Sequence, residues 1–264
     1  MIADSSLSSA RVKEFRLDYL RSRERIGAAE KVFRYFGAFT ESSERADEAS
    51  FGIDAAVRKS AFIDNSGWAP LDAWFFAVAE ERYLLQIFEQ RLDSCVNSTG
   101  QLEPSEVPRR PAEMLAVADR LSDSLSQAGY APEVIVLAAT FDVDFHLELK
   151  KHFQTDGWQL SDELRTNWVL GQYHGRIILY VPVAELSALY AVDIQRFGSL
   201  LQFHPPVELS VEPIDVATAM KRGDLDHRRK VRLRLVQSYD FHVEDQRAVW
   251  GARLALPAEQ PAEE

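Results

Sequence analysis

Few residues in this chain have the types and spacing that chemistry requires. In "DVDFH", Asp142, Asp144 and His146 bring two carboxylates and an imidazole close together. On a helix, Asp142 and His146 stand four apart and share a face, which is half of a metal site. A complete site needs three or four converging ligands. Acids also suit the first turn of a helix, where the backbone dipole favours negative charge. Phe141, Phe145, Leu149 and Phe153 would then form the buried stripe of that helix. The simpler account is no metal, with Asp142, Asp144 and His146 as the residues that would hold one.

Other candidates are thinner. Glu80 and Glu81 are adjacent carboxylates, and adjacent residues on a helix do not face each other. Cys95 lies near a helix end beside a polar loop, where a thiol could react, but it has no evident histidine partner. His152, His174, His204, His227 and His242 are scattered, without HExxH or HxH spacing. There is no GxSxG, GxxxxGK[ST] or GxGxxG, so no nucleophile elbow and no phosphate cradle. The expectation is a binding or structural protein, not an enzyme, with no cofactor.

Composition agrees with a folded protein. A chain of 264 residues, 46% hydrophobic and 27% charged, can bury a sizeable core. One cysteine excludes intrachain disulfides and cysteine-cluster metal sites. No apolar run reaches the ~18–20 residues of a membrane span. The first residues, "MIADSSLSSARVKEF", lack the charged start and apolar block of a secretory signal. A soluble cytoplasmic protein is the expectation on these grounds. The net charge of −11 argues against nucleic-acid binding by the whole surface. The charge is uneven, however. Through Ala38 there are eight basic and five acidic residues, a balance of +3, which leaves −14 for the rest. Arg21, Arg23 and Arg25 lie in this basic segment. It is either an arm that meets nucleic acid or an acidic neighbour, or a solvated amphipathic helix.

The elements follow from periodicity. Ser9 to Phe36 reads as helix, with Phe15, Tyr19, Ile26, Ala29, Phe33 and Phe36 at mostly three- and four-residue steps. "TESSERADEAS" is a loop or linker. "FGIDAAVRKSAFIDNSGW" reads either as a short strand pair or as an irregular excursion. A long helix follows Pro70, and its expected apolar face is Trp74, Phe75, Val78, Leu85, Phe88 and Leu92, with Glu80, Glu81, Arg82, Glu89 and Arg91 largely opposite. "NSTGQLEPSEVPRRP" reads as a loop. "AEMLAVADRLSDSLSQAG" is an amphipathic helix closed by Gly129. "PEVIVLAAT" is a nearly continuous apolar strand, suited to the buried centre of a sheet. Thr140 can cap a helix, "FDVDFHLELKKHF". "GRIILYVP", "LYAVDI" and "VELSVEPID" read as further strands, and "LPAEQPAEE" as a disordered tail.

The most unusual stretch is "KVRLRLVQSYDFHVED". Val231, Leu233, Leu235, Tyr239, Phe241 and Val243 fall on one side; Arg232, Arg234, Ser238, Asp240, His242 and Glu244 fall on the other. That alternation is a β-strand pattern. One strand from Val231 to Glu244 would span roughly 45 Å at about 3.4 Å per residue, where strands of ~5–6 residues are usual.

From Ala112 onward, the order of elements resembles the tailed-bacteriophage major capsid fold, the Hong Kong 97 type, shared with encapsulin nanocompartments. "AEMLAVADRLSDSLSQAGYAPEVIVLAATFDVDFHLEL" looks like the family's helix, buried strand, then helix at a polar cap. "LGQYHGRIILYVP" looks like its glycine turn and apolar strand. "LYAVDIQRFGSLLQF" looks like its core strand before an Asp and a loop. "VELSVEPID" through "KVRLRLVQSYDFHVEDQRAVWGARL" looks like its closing strands. The helix Leu71 to Asp93 would be the spine helix. With it included, the resemblance covers about two-thirds of the chain. Two departures stand out: only about Asp47 to Gly67 is available for the family's extended loop, and the sequence blocks of a typical encapsulin are missing.

The resemblance implies an α+β, Hong Kong 97-like fold with a long spine helix, a long C-terminal strand and a central mixed-sheet domain. The implied divisions are 1–45 as N-terminal arm, 46–70 as an extended-loop-like segment, and 71–130 as spine and peripheral helices. They continue with 131–215 as an axial-type domain, 216–256 as the returning long strand and 257–264 as tail. The implied function is a shell subunit that self-assembles into an icosahedral capsid enclosing DNA, in a virion or a bacterial cytoplasm. The alternative is an encapsulin-type compartment around a cargo protein; from another class, a small non-assembling α/β enzyme or adaptor. The implied contact residues are Arg21, Arg23, Arg25, Arg232, Arg234, Asp240 and Glu244. The partner is the chain itself, with DNA or cargo on the inner face and no membrane. Lys59 and Asn65 have the residue types of an inter-subunit crosslink.

Overall fold

The computed structural model describes residues 9–42, 50–58, 69–107, 110–140, 147–149, 164, 166, 168–183, 187–203, 208–213 and 230–255. They form two compact units. Unit 1 draws on Met1–Gly27, Thr40–Tyr83 and Leu201–Asp240; unit 2 on Ala28–Phe39, Leu84–Leu200 and Phe241–Glu264.

The N-terminal helix is two helices, α1 (Ser9–Ile26) and α2 (Ala28–Tyr35). The break falls at Gly27, where a Cβ would stand 2.9 Å from the carbonyl oxygen of Arg23. Hence a side chain at this point would crowd the preceding turn. Phe15, Tyr19, Ile26, Ala29 and Phe33 are buried, as the periodicity requires, and Phe36 is half-buried. Strands β1 (Phe39–Ser42) and β2 (Ser50–Arg58) follow, so the excursion begins as a strand; residues 59–68 lie outside the described set.

The long helix α3 spans Ala69–Thr99, six residues beyond Asp93, and ends at Gly100 with φ +71°. At about 1.5 Å per residue it is roughly 45 Å long. Its buried stripe differs from the expected one. Ala73, Phe76, Ala77, Glu80, Glu81, Leu84, Leu85, Phe88, Glu89, Leu92, Cys95 and Val96 are buried, whereas Trp74 and Phe75 are 38% and 55% exposed. The stripe still repeats at helical spacing, but it passes through small alanines and through three carboxylates.

The stretch read as a loop after α3 is a strand, β3 (Leu102–Val107). Among the described residues it pairs with one neighbour, the last strand β11 (Val249–Leu254), in parallel and with a register shift between Ala252 and Leu254. Pro104 has no N–H to donate, which an edge strand tolerates. Helix α4 (Pro111–Gln127) begins at Pro111 and is closed by Gly129 with φ +89°. Four strands complete the sheet of unit 2: β4 (Val134–Ala139), β5 (Val169–Tyr173), β6 (Arg176–Pro182) and β7 (Ala188–Val192). The order is β3-β11-β7-β4-β6-β5. It is a mixed sheet: β4 runs parallel to β6 and antiparallel to β7. The β5–β6 hairpin turns through His174 and Gly175, both with positive φ, the geometry of a two-residue turn.

Strand β4 is buried along its whole length because both faces of this sheet are covered. On one face Leu115, Ala118, Leu121 and Leu125 of α4 pack against Ile135, Leu137, Ile178, Tyr180, Leu189 and Ala191. On the other lie Tyr190 and Gly251, against residues of α3. The expected helix after Thr140 lies outside the described residues except 147–149, which are helical. The one-turn helix α5 (Ile194–Phe197) is capped by Asp193, whose carboxylate accepts from the backbone N–H of Arg196 and of Ala131.

The second sheet contains β8 (Gly198–Phe203), β9 (Glu208–Pro213) and β10 (Lys230–Val243), in the order β1-β8-β10-β2 with β9 also on β10. The expected long strand is one uninterrupted strand of 14 residues. It pairs antiparallel with β2 from Lys230 to Ser238 and with β9 from Val231 to Val236. The chain beyond Val243 turns and becomes the separate strand β11, which belongs to the sheet of unit 2.

Candidate functional site

The features that set this chain apart are α3 and β10, and polar and aromatic groups fix each to its surroundings. In unit 1 the anchor is Glu80, only 1% exposed. Its carboxylate accepts the hydroxyl of Tyr239 from β10 at 2.7 Å and the hydroxyl of Tyr19 from α1. The guanidinium of Arg23, from α1, lies 3.7 Å away and over the ring of Tyr239. With its amide oriented to accept, Gln202 of β8 takes two hydrogen bonds from Arg23 at 3.2 Å. A buried carboxylate needs such donors and a cation to offset lost hydration. Burial pushes the phenol of Tyr239 well up, and the charge of Glu80 adds to this, so it stays a hydrogen-bond donor.

In unit 2 the anchor is aromatic. Phe88 of α3 stacks on Phe241 of β10 at 5.4 Å and meets Phe33 and Phe197 edge-on at 5.2 and 5.8 Å. Phe33 also meets Phe241 at 5.4 Å. One and five residues further along α3 than Phe88, Glu89 and Asp93 face Tyr190 of β7 and Arg253 of β11. The strand β10 is thus held to α3 twice, at Tyr239 and at Phe241, once within each unit. Its C-terminal end is held where Gly198 of β8 passes the carbonyl of His242 so closely that a Cβ would stand 1.9 Å from that oxygen.

The sequence candidates are spread across the fold. Arg21 is exposed and 3.5 Å from Asp18, and Arg25 is exposed. Arg23 is turned inward to Glu80. Arg232 and Arg234 occupy β10 opposite Ala56 and Asp54 of β2 and Glu212 and Ser210 of β9; their side chains lie outside the described set. Asp240 is half-buried and Glu244 exposed. Asp142, Asp144, His146, Lys59 and Asn65 are not among the described residues. Among those that are, no group of three potential metal ligands converges, and no helix is long and apolar enough to cross a membrane. Cys95 is buried in unit 2, and burial pushes its thiol up, against a smaller opposing effect of Arg91; the environment is the reverse of a reactive cysteine's.

Sequence reasoning missed Glu80, Glu89 and Tyr190 as anchors. The available signal was the pair Ala73 and Ala77, one turn apart and in phase with Glu80, Leu84 and Phe88 on the buried side.

No protein-family model matches the chain, and it matches no curated protein. Comparison with solved structures does find similar chains. A chain of Mycobacterium phage Cain is similar with a TM-score of 0.48 at 13% identity, over 79% of this chain and 72% of that one. The virus-like particle from Pyrococcus furiosus is similar with a TM-score of 0.47 at 8% identity, over 91% and 98%. The holo-SrpI encapsulin complex from Synechococcus elongatus is similar with a TM-score of 0.45 at 12% identity, over 78% and 73%. The solved structures to which this chain is similar include phage major capsid proteins and encapsulins of Hong Kong 97-like fold.

Proposed function

We propose that the chain is a shell subunit that assembles with copies of itself into a closed icosahedral particle, a viral or prophage major capsid enclosing DNA. The observation that carries this reading is β10: 14 residues without interruption, held to the 31-residue helix α3 at Tyr239 and again at Phe241. A pocket enzyme has no use for a strand about two and a half times the ordinary length, whereas a subunit that must reach several neighbours does. Repeated contacts between unlike surfaces then close on themselves. The exposed basic residues of α1, Lys13, Arg16, Arg21 and Arg25, suit a face turned toward phosphates. Purified protein, run on a density gradient and imaged by negative stain, should sediment as hollow particles. Nucleic acid that survives external nuclease treatment is expected inside them. Particles that carry a stoichiometric protein and no nucleic acid would replace the DNA reading by a cargo compartment. A chain that sediments as a monomer at every concentration would overturn the shell reading altogether.

A further inference from the structure

The hydroxyl of Tyr190 stands between two carboxyl groups. It is 3.0 Å from Oε1 of Glu89 and 3.4 Å from Oδ1 of Asp93. A phenol has one proton and can donate to only one of them at a time. Asp93 has other donors: Nη2 of Arg253 and the side-chain amide of Asn97, at 3.0 Å. Glu89 is buried, and the titratable and charged groups facing it are Tyr190 from β7, Arg253 from β11 and Asp93 from its own helix. Among the described residues, Glu89 and Asp93 thus share the cation of Arg253 at the place where α3 meets the sheet. A proton on Glu89 removes the surplus charge and makes that carboxyl a donor. Glu89 can then donate to Tyr190, freeing Tyr190 to donate to Asp93, which stays paired with Arg253.

We propose that Glu89, Tyr190 and Asp93 form a one-proton hydrogen-bond switch that ties the seating of α3 on β7 and β11, within unit 2, to pH. The proton comes from solvent and rests on the Glu89 carboxyl; the other groups keep their protons and only redirect their hydrogen bonds. The environment agrees. Burial pushes the Glu89 carboxyl above its ordinary range, the hydrogen bond from Tyr190 partly opposes this, and Asp93 adds to the rise. A carboxyl that binds its proton more tightly when folded stabilises the fold below its unfolded value. That contribution is lost as pH rises through the folded one. The inference does not depend on the shell reading.

The test is the thermal midpoint of the full chain across pH 4 to 8, with and without Glu89→Gln, which fixes a neutral side chain at this position. The wild-type midpoint minus that of Glu89→Gln should decline as pH rises, by at most roughly 3–5 °C per pH unit for one proton. Two further variants move the window in opposite directions. Tyr190→Phe removes the donor that favours the carboxylate and shifts the wild-type decline to higher pH. Asp93→Asn removes the repelling charge and shifts it to lower pH. These two shifts can be read even if Glu89→Gln does not fold, as opposite pH dependences of each neighbouring variant's midpoint minus that of wild type. A difference between wild type and Glu89→Gln that is independent of pH would overturn the switch, as would windows that move the same way in both neighbouring variants.

Discussion

The hydroxyl of Tyr239, near the end of β10, lies 2.7 Å from Oε1 of Glu80, in the middle of α3. The two residues are 159 positions apart. Their contact closes a buried network in which one carboxylate serves two phenols and a guanidinium, so strand, long helix and N-terminal helix of unit 1 share a single acceptor. Removing that acceptor should therefore disturb three elements at once.

Glu80→Ala is expected to lower stability by about 3–5 kcal/mol, the usual consequence of removing one partner of a buried ion pair. Glu80→Gln keeps an acceptor for one phenol and should lose less. Urea unfolding of both variants beside Tyr239→Phe checks the ranking. Equal stability of Glu80→Ala and wild type would mean the network contributes nothing.

Gly198→Ala should destabilise by roughly 3 kcal/mol or more, since a Cβ cannot fit against the backbone of β10. The site has φ +148°, and the new methyl would meet the carbonyl oxygen of His242 at 1.9 Å. Gly37→Ala is the control: that glycine also has positive φ, but nothing lies within 4 Å of its added Cβ. The control should lose only about 1–2 kcal/mol, the cost of the left-handed conformation.

Phe88→Ala empties the centre of the ring cluster formed with Phe33, Phe197 and Phe241, and is expected to cost about 3–5 kcal/mol. Phe75→Ala, at an exposed position of the same helix, should change monomer stability by less than about 0.5–1 kcal/mol. Chemical denaturation of the pair separates the buried stripe of α3 from its exposed face.

Cys95 should resist thiol reagents in the native protein and react when the chain is unfolded, because burial both shields the thiol and disfavours the thiolate. Titration with a chromogenic disulfide, with and without urea at pH 8, reads this directly. Rapid native reaction would place Cys95 at the surface.

Much of this architecture is written locally. The alternation from Val231 to Val243 announces β10, and the unbroken apolar run of β4 announces a strand covered on both faces. Gly100 and Gly129 mark the ends of α3 and α4. What is not local was lost. Strand β3 carries Pro104, Ser105 and two glutamates, a loop-like composition. It is a strand only because the edge of β11 is there to receive it. The buried face of α3 was misjudged because Trp74 and Phe75 outweigh alanine in any hydrophobic tally. The approach of Tyr19, Arg23, Tyr239 and Tyr190 makes room for carboxylates on the inner side, and those partners come from distant parts of the chain. At the break, a Cβ added to Gly27 would stand 2.9 Å from the carbonyl oxygen of Arg23, a constraint that no periodicity reports. The basic segment likewise gave no sign that Arg23 alone turns inward while Arg21 and Arg25 stay exposed.

Whether the chain assembles is read by electron cryo-microscopy of the purified protein. Closed shells of uniform diameter are expected, with β10 of every subunit unbroken from Lys230 to Val243. A solution of single subunits that never associate, or particles in which that strand is split and folded around a pocket, would contradict it.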